Sequence, residues 1–117
     1  MAFRFKKFKV YQDAICFSKY CREVLNFEIK DRDLSNQIQR ALNSIVLNIA
    51  EGSADNSDTE FARFLGISIR SVYEVVAGFD LALSYNLINE EIYTNTEEKA
   101  EELVRQLSAF RSKLKQK

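Results

Sequence analysis

This chain of 117 residues contains no proline, which leaves every segment of it free to form a helix. Proline interrupts helices because it lacks the backbone N–H donor and its ring clashes with the preceding turn. Apolar residues recur at intervals of three and four along most of the sequence, which is the period of an amphipathic helix. The chain is therefore predicted to belong to the all-α class.

Four helical segments are predicted, over residues 10–27, 34–51, 58–84 or 58–85, and 95–114. Ser57 followed by Glu60 forms a capping box, a pattern typical of a helix start, so the third helix is predicted to begin there. Thr94 and Glu97 form the same pattern before the fourth helix. The start of the second helix is predicted to be capped by an aspartate of the polar run at residues 30–33.

The three glycines stand alone in the sequence, at positions 52, 66 and 78. Gly52 follows the second predicted helix and is expected to end it in a left-handed conformation. Gly66 and Gly78 lie inside the third helix, where each costs up to about 1 kcal/mol relative to alanine. Close packing against another helix is predicted at both positions, because it explains why alanine is not used there.

Four amphipathic helices with short connections predict an antiparallel up-down four-helix bundle, a single domain over residues 1–117. Residues 72–83 are apolar on more than one face, whereas no helix of such a bundle is surrounded on all sides. The second apolar face is therefore predicted to meet another copy of the chain. The predicted interface residues of this homo-oligomer are Val72, Val75, Val76, Phe79 and Leu83.

Seventeen basic and seventeen acidic residues give a net charge of zero, so any site for a polyanion must be local. The chain has no histidine, which removes the commonest general base and histidine-based zinc sites. We predict no enzyme activity, no cofactor, no metal and no small-molecule substrate. No segment is long and apolar enough to span a membrane, and the two cysteines are predicted to stay reduced, so a cytoplasmic protein is expected.

The first nine residues, here called the strap, alternate phenylalanines with four cations: Arg4, Lys6, Lys7 and Lys9. Aromatic and cationic side chains together are typical of grooves that bind single-stranded nucleic acid. A second interpretation is that the phenylalanines pack on the bundle or on a neighbouring subunit while the cations face water. The basic residues 111–117 add to this zone if both chain termini lie at the same end of the bundle.

A polar row, made of Arg40, Ser44, Asn48 and Glu51, lies along one face of the second helix. One interpretation is structural: Arg40 pairs with a carboxylate such as Glu74, and Asn48 bonds across helices. The functional alternative is that the row lines a groove or a channel of the oligomer, in which Arg40 contacts phosphate; Arg40 then joins the strap cations as a candidate nucleic-acid-binding residue.

Four motifs of this chain resemble a known family: QIQRA at 37–41, SIVLNIAEG at 44–52, FARFL at 61–65 and SVYE at 71–74. They are similar to the four-helix bundle proteins encoded in 23S rRNA intervening sequences, a superfamily shared with the accessory variability determinant of diversity-generating retroelements. The family often has proline where this chain has Val46, and glycine where it has Arg70. The resemblance implies a homopentameric ring and no enzyme activity. For the retroelement relative it implies binding of nucleic acid and reverse transcriptase through a basic surface.

Two functional hypotheses follow. The first is a non-enzymatic, homopentameric helical protein that binds RNA, DNA or a protein that handles them, such as a reverse transcriptase. The alternative is a protein-binding scaffold in which the family motif residues, among them Arg40, Asn48, Glu51, Gly52 and Glu74, only hold helices and subunits together. Neither hypothesis involves a membrane.

Overall fold

The computed structural model describes residues 3–54 and 57–116, and these residues contain no β-strand. Helix α1 spans Lys9–Phe27, α2 spans Arg32–Ser53, α3 spans Asp58–Ser84 and α4 spans Glu90–Lys115, and a short 3-10 turn at Arg4–Lys7 precedes α1. The all-α prediction is confirmed. The first three helices begin and end within two residues of the predicted positions.

The starts of α2 and α3 are set by side-chain caps. The Leu34 amide donates a hydrogen bond to the Asp31 carboxylate at 3.0 Å, and the Glu60 amide donates to the Ser57 hydroxyl at 3.2 Å. Each cap satisfies a backbone donor that has no partner within the helix. Asp31 is therefore the aspartate that caps α2, and the prediction for Ser57 is confirmed.

Helix α4 begins five residues earlier than predicted. Asn89, not Thr94, is its N-cap, and it accepts a hydrogen bond from the Ile92 amide at 2.9 Å. Asn86 turns the chain out of α3 with a positive φ of 62°, and Ile88 between them is buried in the core. Because Ile88 is fixed in the core, the helix starts immediately after it, and Thr94 lies within the helix.

Gly52 does not end α2, contrary to the prediction. It is a residue of the last helical turn, and none of the glycines, all three of which are described, has a positive φ. A Cβ at Gly52 would lie 2.7 Å from the Phe64 Cβ and 2.8 Å from the Phe61 ring. Glycine is required here because α3 lies too close for a side chain.

The four helices surround one hydrophobic core. Contacts between α2 and α3 are the most extensive, α4 lies against α3, and α1 lies against α2 and α4. The largest fully buried side chains come from all four helices, among them Cys21, Leu42, Ile45, Ile49, Phe61, Leu65, Phe79 and Leu107. Burial of apolar area in this core is the main stabilising contribution to the fold.

The α2–α3 contact is close because small and polar residues lie within it. A Cβ at Gly78 would lie 2.5 Å from the Ile38 Cγ1, so the predicted close packing is confirmed there. The buried Ser68 hydroxyl donates a hydrogen bond to the Ile45 carbonyl at 2.9 Å. At Gly66 the one near atom among the described residues is the Arg111 Nη1, at 3.3 Å, so a side-chain end and not a helix packs there.

Three of the predicted interface residues belong to the core of the single chain. Val72, Val75 and Phe79 are 0% exposed, because they face α2 and α4, so they are not available to a second copy. Val76 and Leu83 are half-buried at the edge of the core. The apolar side chains that α3 exposes are instead Tyr73, 66% exposed, and Leu81, 45% exposed.

Candidate nucleic-acid interface

The strap is fixed to the bundle by Phe8. Its ring stacks on Phe61, with ring centroids 6.2 Å apart, and meets the edge of Phe110 at 5.3 Å. Phe61 lies near the start of α3 and Phe110 near the end of α4, so the chain's beginning lies beside these two helix ends. Phe8 is therefore occupied inside the molecule and is not a platform for stacked bases.

Arg4 is also part of this attachment. Its Nε donates a hydrogen bond to the Ser53 carbonyl at 3.0 Å, at the end of α2. Its guanidinium lies over the Phe8 and Phe61 rings, at 5.9 and 5.6 Å from their centroids. Cation–π contacts of this kind add to the hydrogen bond. The structure thus uses Arg4 to hold the strap against the α2–α3 end.

Lys9 is paired with Asp13 on the same face of α1, with the ammonium 2.6 Å from the carboxylate. Gln106 of α4 donates a second hydrogen bond to the same carboxylate at 2.8 Å. These two hydrogen bonds lower the pKa of Asp13, and the Lys9 hydrogen bond raises the pKa of the lysine. Because Lys9 is exposed, the pair contributes little to stability, but it locally cancels the lysine's charge.

The remaining strap cations, Lys6 and Lys7, are exposed and have no ion-pair partner among the described residues. Lys113 and Lys115, in the last turn of α4, are also exposed, and they too have no ion-pair partner among the described residues. The Phe8–Phe110 contact places these four lysines at the same end of the molecule. Lys117 lies outside the described residues.

The four residues of the polar row fall into two groups, of which one is hydrogen-bonded between helices and the other is exposed. Asn48 donates to the Ser44 carbonyl at 2.8 Å and to the Ser44 hydroxyl at 3.0 Å, and Ser71 of α3 donates to the same hydroxyl at 2.8 Å. Ser44 and Asn48 therefore belong to a network between α2 and α3. Arg40 and Glu51 are exposed and outside that network.

Arg40 neither pairs with Glu74 nor lies near the strap cations. It makes no ion pair with Glu74, which is exposed, and no other ion pair within the described part of the chain. It precedes Ser53 by thirteen residues of α2, about 20 Å at the helical rise, so it is also distant from the strap cations. The structure brings the strap cations together but leaves Arg40 apart from them.

Two cations of α3 are not among the site residues predicted from the sequence. Arg63 and Arg70 line a groove between α3 and α4 that also contains Arg111 and Lys115. The residues of the two helices are more than forty positions apart, so no local motif joins them. The only sequence signal was the substitution of arginine for the family's usual glycine at position 70.

Other kinds of site find little support in the described residues. They contain no cluster of three or more cysteine, aspartate or glutamate side chains placed to hold a metal ion. No helix among them is long and apolar enough to cross a membrane. Cys16 is exposed and Cys21 buried, both as free thiols, and burial raises the pKa of Cys21 to about 12.

Four helices around one core, with lysines gathered at one end, define a four-helix protein with a basic end. The sequence model of the 23S rRNA-intervening sequence proteins matches residues 6–109. The chain therefore belongs to the 23S rRNA-intervening sequence protein family.

A solved structure has the same fold. The crystal structure of a protein of unknown function from the S23 ribosomal protein family of Bacteroides thetaiotaomicron superposes with a TM-score of 0.79. The match covers 87% of this chain and 97% of that one at 22% sequence identity, which supports the shared fold alone. No curated protein sequence matches the chain.

Proposed function

We propose that this protein is a non-enzymatic, homo-oligomeric bundle that binds the phosphate backbone of RNA or DNA at its basic end. The observation that carries the proposal is the gathering of Lys6, Lys7, Lys113 and Lys115 at one end, exposed and without acidic partners among the described residues. Lysines placed in this way neutralise phosphates and release counterions, which is the main source of non-specific affinity for nucleic acids.

The proposed topology is antiparallel and up-down. The contacts of Phe8 with Phe61 and Phe110, and of Arg4 with Ser53, bring together the starts of α1 and α3 and the ends of α2 and α4. In an up-down bundle these four helix ends are the ones that meet. The two chain termini then lie at the same end, and their cations add to one another.

The opposite end of the bundle carries several acidic residues besides the two cations Lys30 and Arg32. Glu28 at the end of α1 and Glu90 at the start of α4 line one groove there with Asn86 and Asn89. Asp33 and Glu91 are in the first turns of α2 and α4. A net charge of zero averages over the whole chain, so it does not argue against a local site for a polyanion.

Fluorescence anisotropy with labelled ribosomal RNA fragments tests this function. We expect affinity to fall steeply between about 50 mM and 200 mM salt, and the double variant Lys6→Ser/Lys7→Ser to bind more weakly. The slope of log K against log salt should become shallower by roughly 1.4 if both lysines contact a single strand.

Lys19→Ser/Lys30→Ser is the matched control, because it removes the same charge from the middle of α1 and from the segment between α1 and α2. Its affinity and salt slope should equal those of the wild type. If the wild type does not bind at the lower salt, or if both double variants behave alike, the scaffold hypothesis is favoured instead.

The proposed assembly is a homopentameric ring, as the family resemblance implies. The support within this chain is a groove between α3 and α4, in which Val76, Ala77 and Val104 form an apolar floor and exposed Tyr73 lies at the side, with Asp80, Glu97, Glu101 and Arg105 among its other lining residues. Leu81 continues the exposed apolar surface of α3. Surfaces of this kind on a helix are typical of contacts between subunits.

Size-exclusion chromatography with light scattering should return a mass five times the 13.6 kDa of the chain. Tyr73→Ser/Leu81→Ser should shift the mass towards the monomer, because both side chains lose buried apolar area in the proposed interface. Phe27→Ser, which removes an aromatic ring at the end of α1 that is 75% exposed, should leave the mass unchanged. A stable 13.6 kDa wild type would refute the assembly.

A further inference from the structure

A groove of about 510 Å³ runs between the first half of α3 and the end of α4. Four of its lining residues are cationic: Arg63, Arg70, Arg111 and Lys115. Only two are acidic, Asp58 and Glu60. The groove is therefore a local basic surface on a chain of zero net charge, and Lys115 is the one of these four cations that already belongs to the proposed binding end.

The cations of the groove differ in how they are paired. Arg63 is held by Glu60, at 3.0 Å, and its guanidinium lies over the Phe64 ring at 4.7 Å. Arg70 and Arg111, by contrast, have no hydrogen-bond or ion-pair partner among the described side chains. Two guanidinium groups in this groove therefore keep their full donor capacity.

Gly66 leaves space on α3 for one of these two guanidinium groups, that of Arg111. The Arg111 Nη1 lies 3.3 Å from the position that a Cβ of Gly66 would take, so the missing side chain leaves a notch in α3. Arg111 is half-buried at this notch. A half-buried, planar guanidinium without an acidic partner is suited to bind a phosphate through two parallel hydrogen bonds.

The groove lies next to the strap. Phe110, which precedes Arg111, packs against Phe8 at 5.3 Å, so the groove opens at the basic end of the bundle. Arg70 lies twelve residues after Asp58, about 18 Å along α3 at the helical rise. The groove thus leads away from the basic end along the side of the molecule and has room for more than one phosphate.

We propose that this α3–α4 groove holds successive phosphates of a single nucleic-acid strand, with Arg70 and Arg111 as the contacting residues. The inference rests on the proposed function, since the strand is the one bound at the basic end. Lysines of that end contribute charge without fixed geometry, whereas the two arginines supply directed donors. The groove thereby sets the path of the strand along the bundle.

The test is anisotropy with a short labelled single-stranded RNA and the double variant Arg70→Gln/Arg111→Gln. We expect about tenfold weaker binding and a salt slope shallower by roughly 1.4, since two phosphate contacts to a single strand are lost. Arg32→Gln/Arg40→Gln is the matched control, because it removes two exposed arginines that lie outside the groove and have no ion-pair partner among the described residues. Circular-dichroism melting should show that both variants remain folded.

The possible outcomes distinguish a failure of the groove proposal from a failure of the proposed function. If RNA binding is weakened by Lys6→Ser/Lys7→Ser but not by Arg70→Gln/Arg111→Gln, the groove is wrong and the proposed function stands. Equal losses in the groove variant and its matched control also overturn the groove, because the effect is then one of overall charge. If the wild type binds no RNA even at low salt, both proposals fail.

Discussion

Replacing Phe79 by alanine is expected to lower the free energy of unfolding by about 3–5 kcal/mol, which is the usual cost of removing a buried phenylalanine. Phe79 lies on α3 and is 0% exposed in the single chain, so the substitution leaves a cavity among core side chains. Urea denaturation followed by circular dichroism measures the loss. Because the side chain is inside one subunit, the loss should persist when the protein is diluted below the concentration at which it assembles.

Tyr73→Ala on the same helix is the matched control. Tyr73 is 66% exposed, so its removal should change the stability of the isolated chain by no more than about 0.5 kcal/mol. Its effect on stability should appear only where copies associate, and should then depend on protein concentration. If Phe79→Ala shows the concentration dependence and Tyr73→Ala does not, the original assignment of Phe79 to the interface is correct and the core described above is wrong.

Gly78→Ala is expected to destabilise the protein by about 1–3 kcal/mol, although alanine is the better helix former. The added Cβ would lie 2.5 Å from the Ile38 Cγ1 and 2.9 Å from its Cδ1, so α2 and α3 must separate or Ile38 must leave its rotamer. Thermal or urea unfolding measures the change. Combining Gly78→Ala with Ile38→Val should recover part of the loss, because the shorter side chain gives back space.

Gly66→Ala provides the contrast within the same helix. Its Cβ would meet only the Arg111 Nη1, at 3.3 Å, and that flexible side chain can move. We expect no loss of stability, or a gain of up to about 1 kcal/mol from helix propensity. Equal destabilisation by Gly66→Ala and Gly78→Ala would contradict the close approach of α2 and α3 at Gly78.

The features predicted most closely are those that depend on residues near one another in sequence. Asp31 and Ser57 cap α2 and α3 by accepting hydrogen bonds from amides three residues later. Both partners of each bond therefore lie within one short stretch of sequence. The start of α4 was misplaced because Thr94 and Glu97 form an equally good local pattern. The true start at Asn89 depends on Ile88 reaching the core, which is a tertiary effect.

Gly52 and Phe79 illustrate what periodicity leaves undetermined. A glycine after an apolar row predicts a helix end, but the same residue also permits close approach of another helix, and only the position of Phe61 and Phe64 decides between them. Likewise, the apolar residues of α3 form two faces. The sequence does not specify which face α2 and α4 cover, so core residues were assigned to the interface.

The part of the candidate site whose residues are consecutive in sequence could also be predicted. The strap was recognised because its cations and phenylalanines are consecutive, and both interpretations of it hold for different residues: Phe8 packs on the bundle, while Lys6 and Lys7 remain exposed. The groove was missed because Arg70 and Arg111 come together only when α3 and α4 pack. Such a site has no signature within either helix.

The buried hydroxyl of Ser68 limits how the two central helices can align. It donates to the Ile45 carbonyl at 2.9 Å from a position that is 0% exposed. An unbonded hydroxyl at such a buried position costs about 1–3 kcal/mol, so any shift of α3 that leaves Ser68 without an acceptor is disfavoured. Together with the close fit of Gly78 on Ile38, this hydrogen bond therefore fixes how α3 lies along α2.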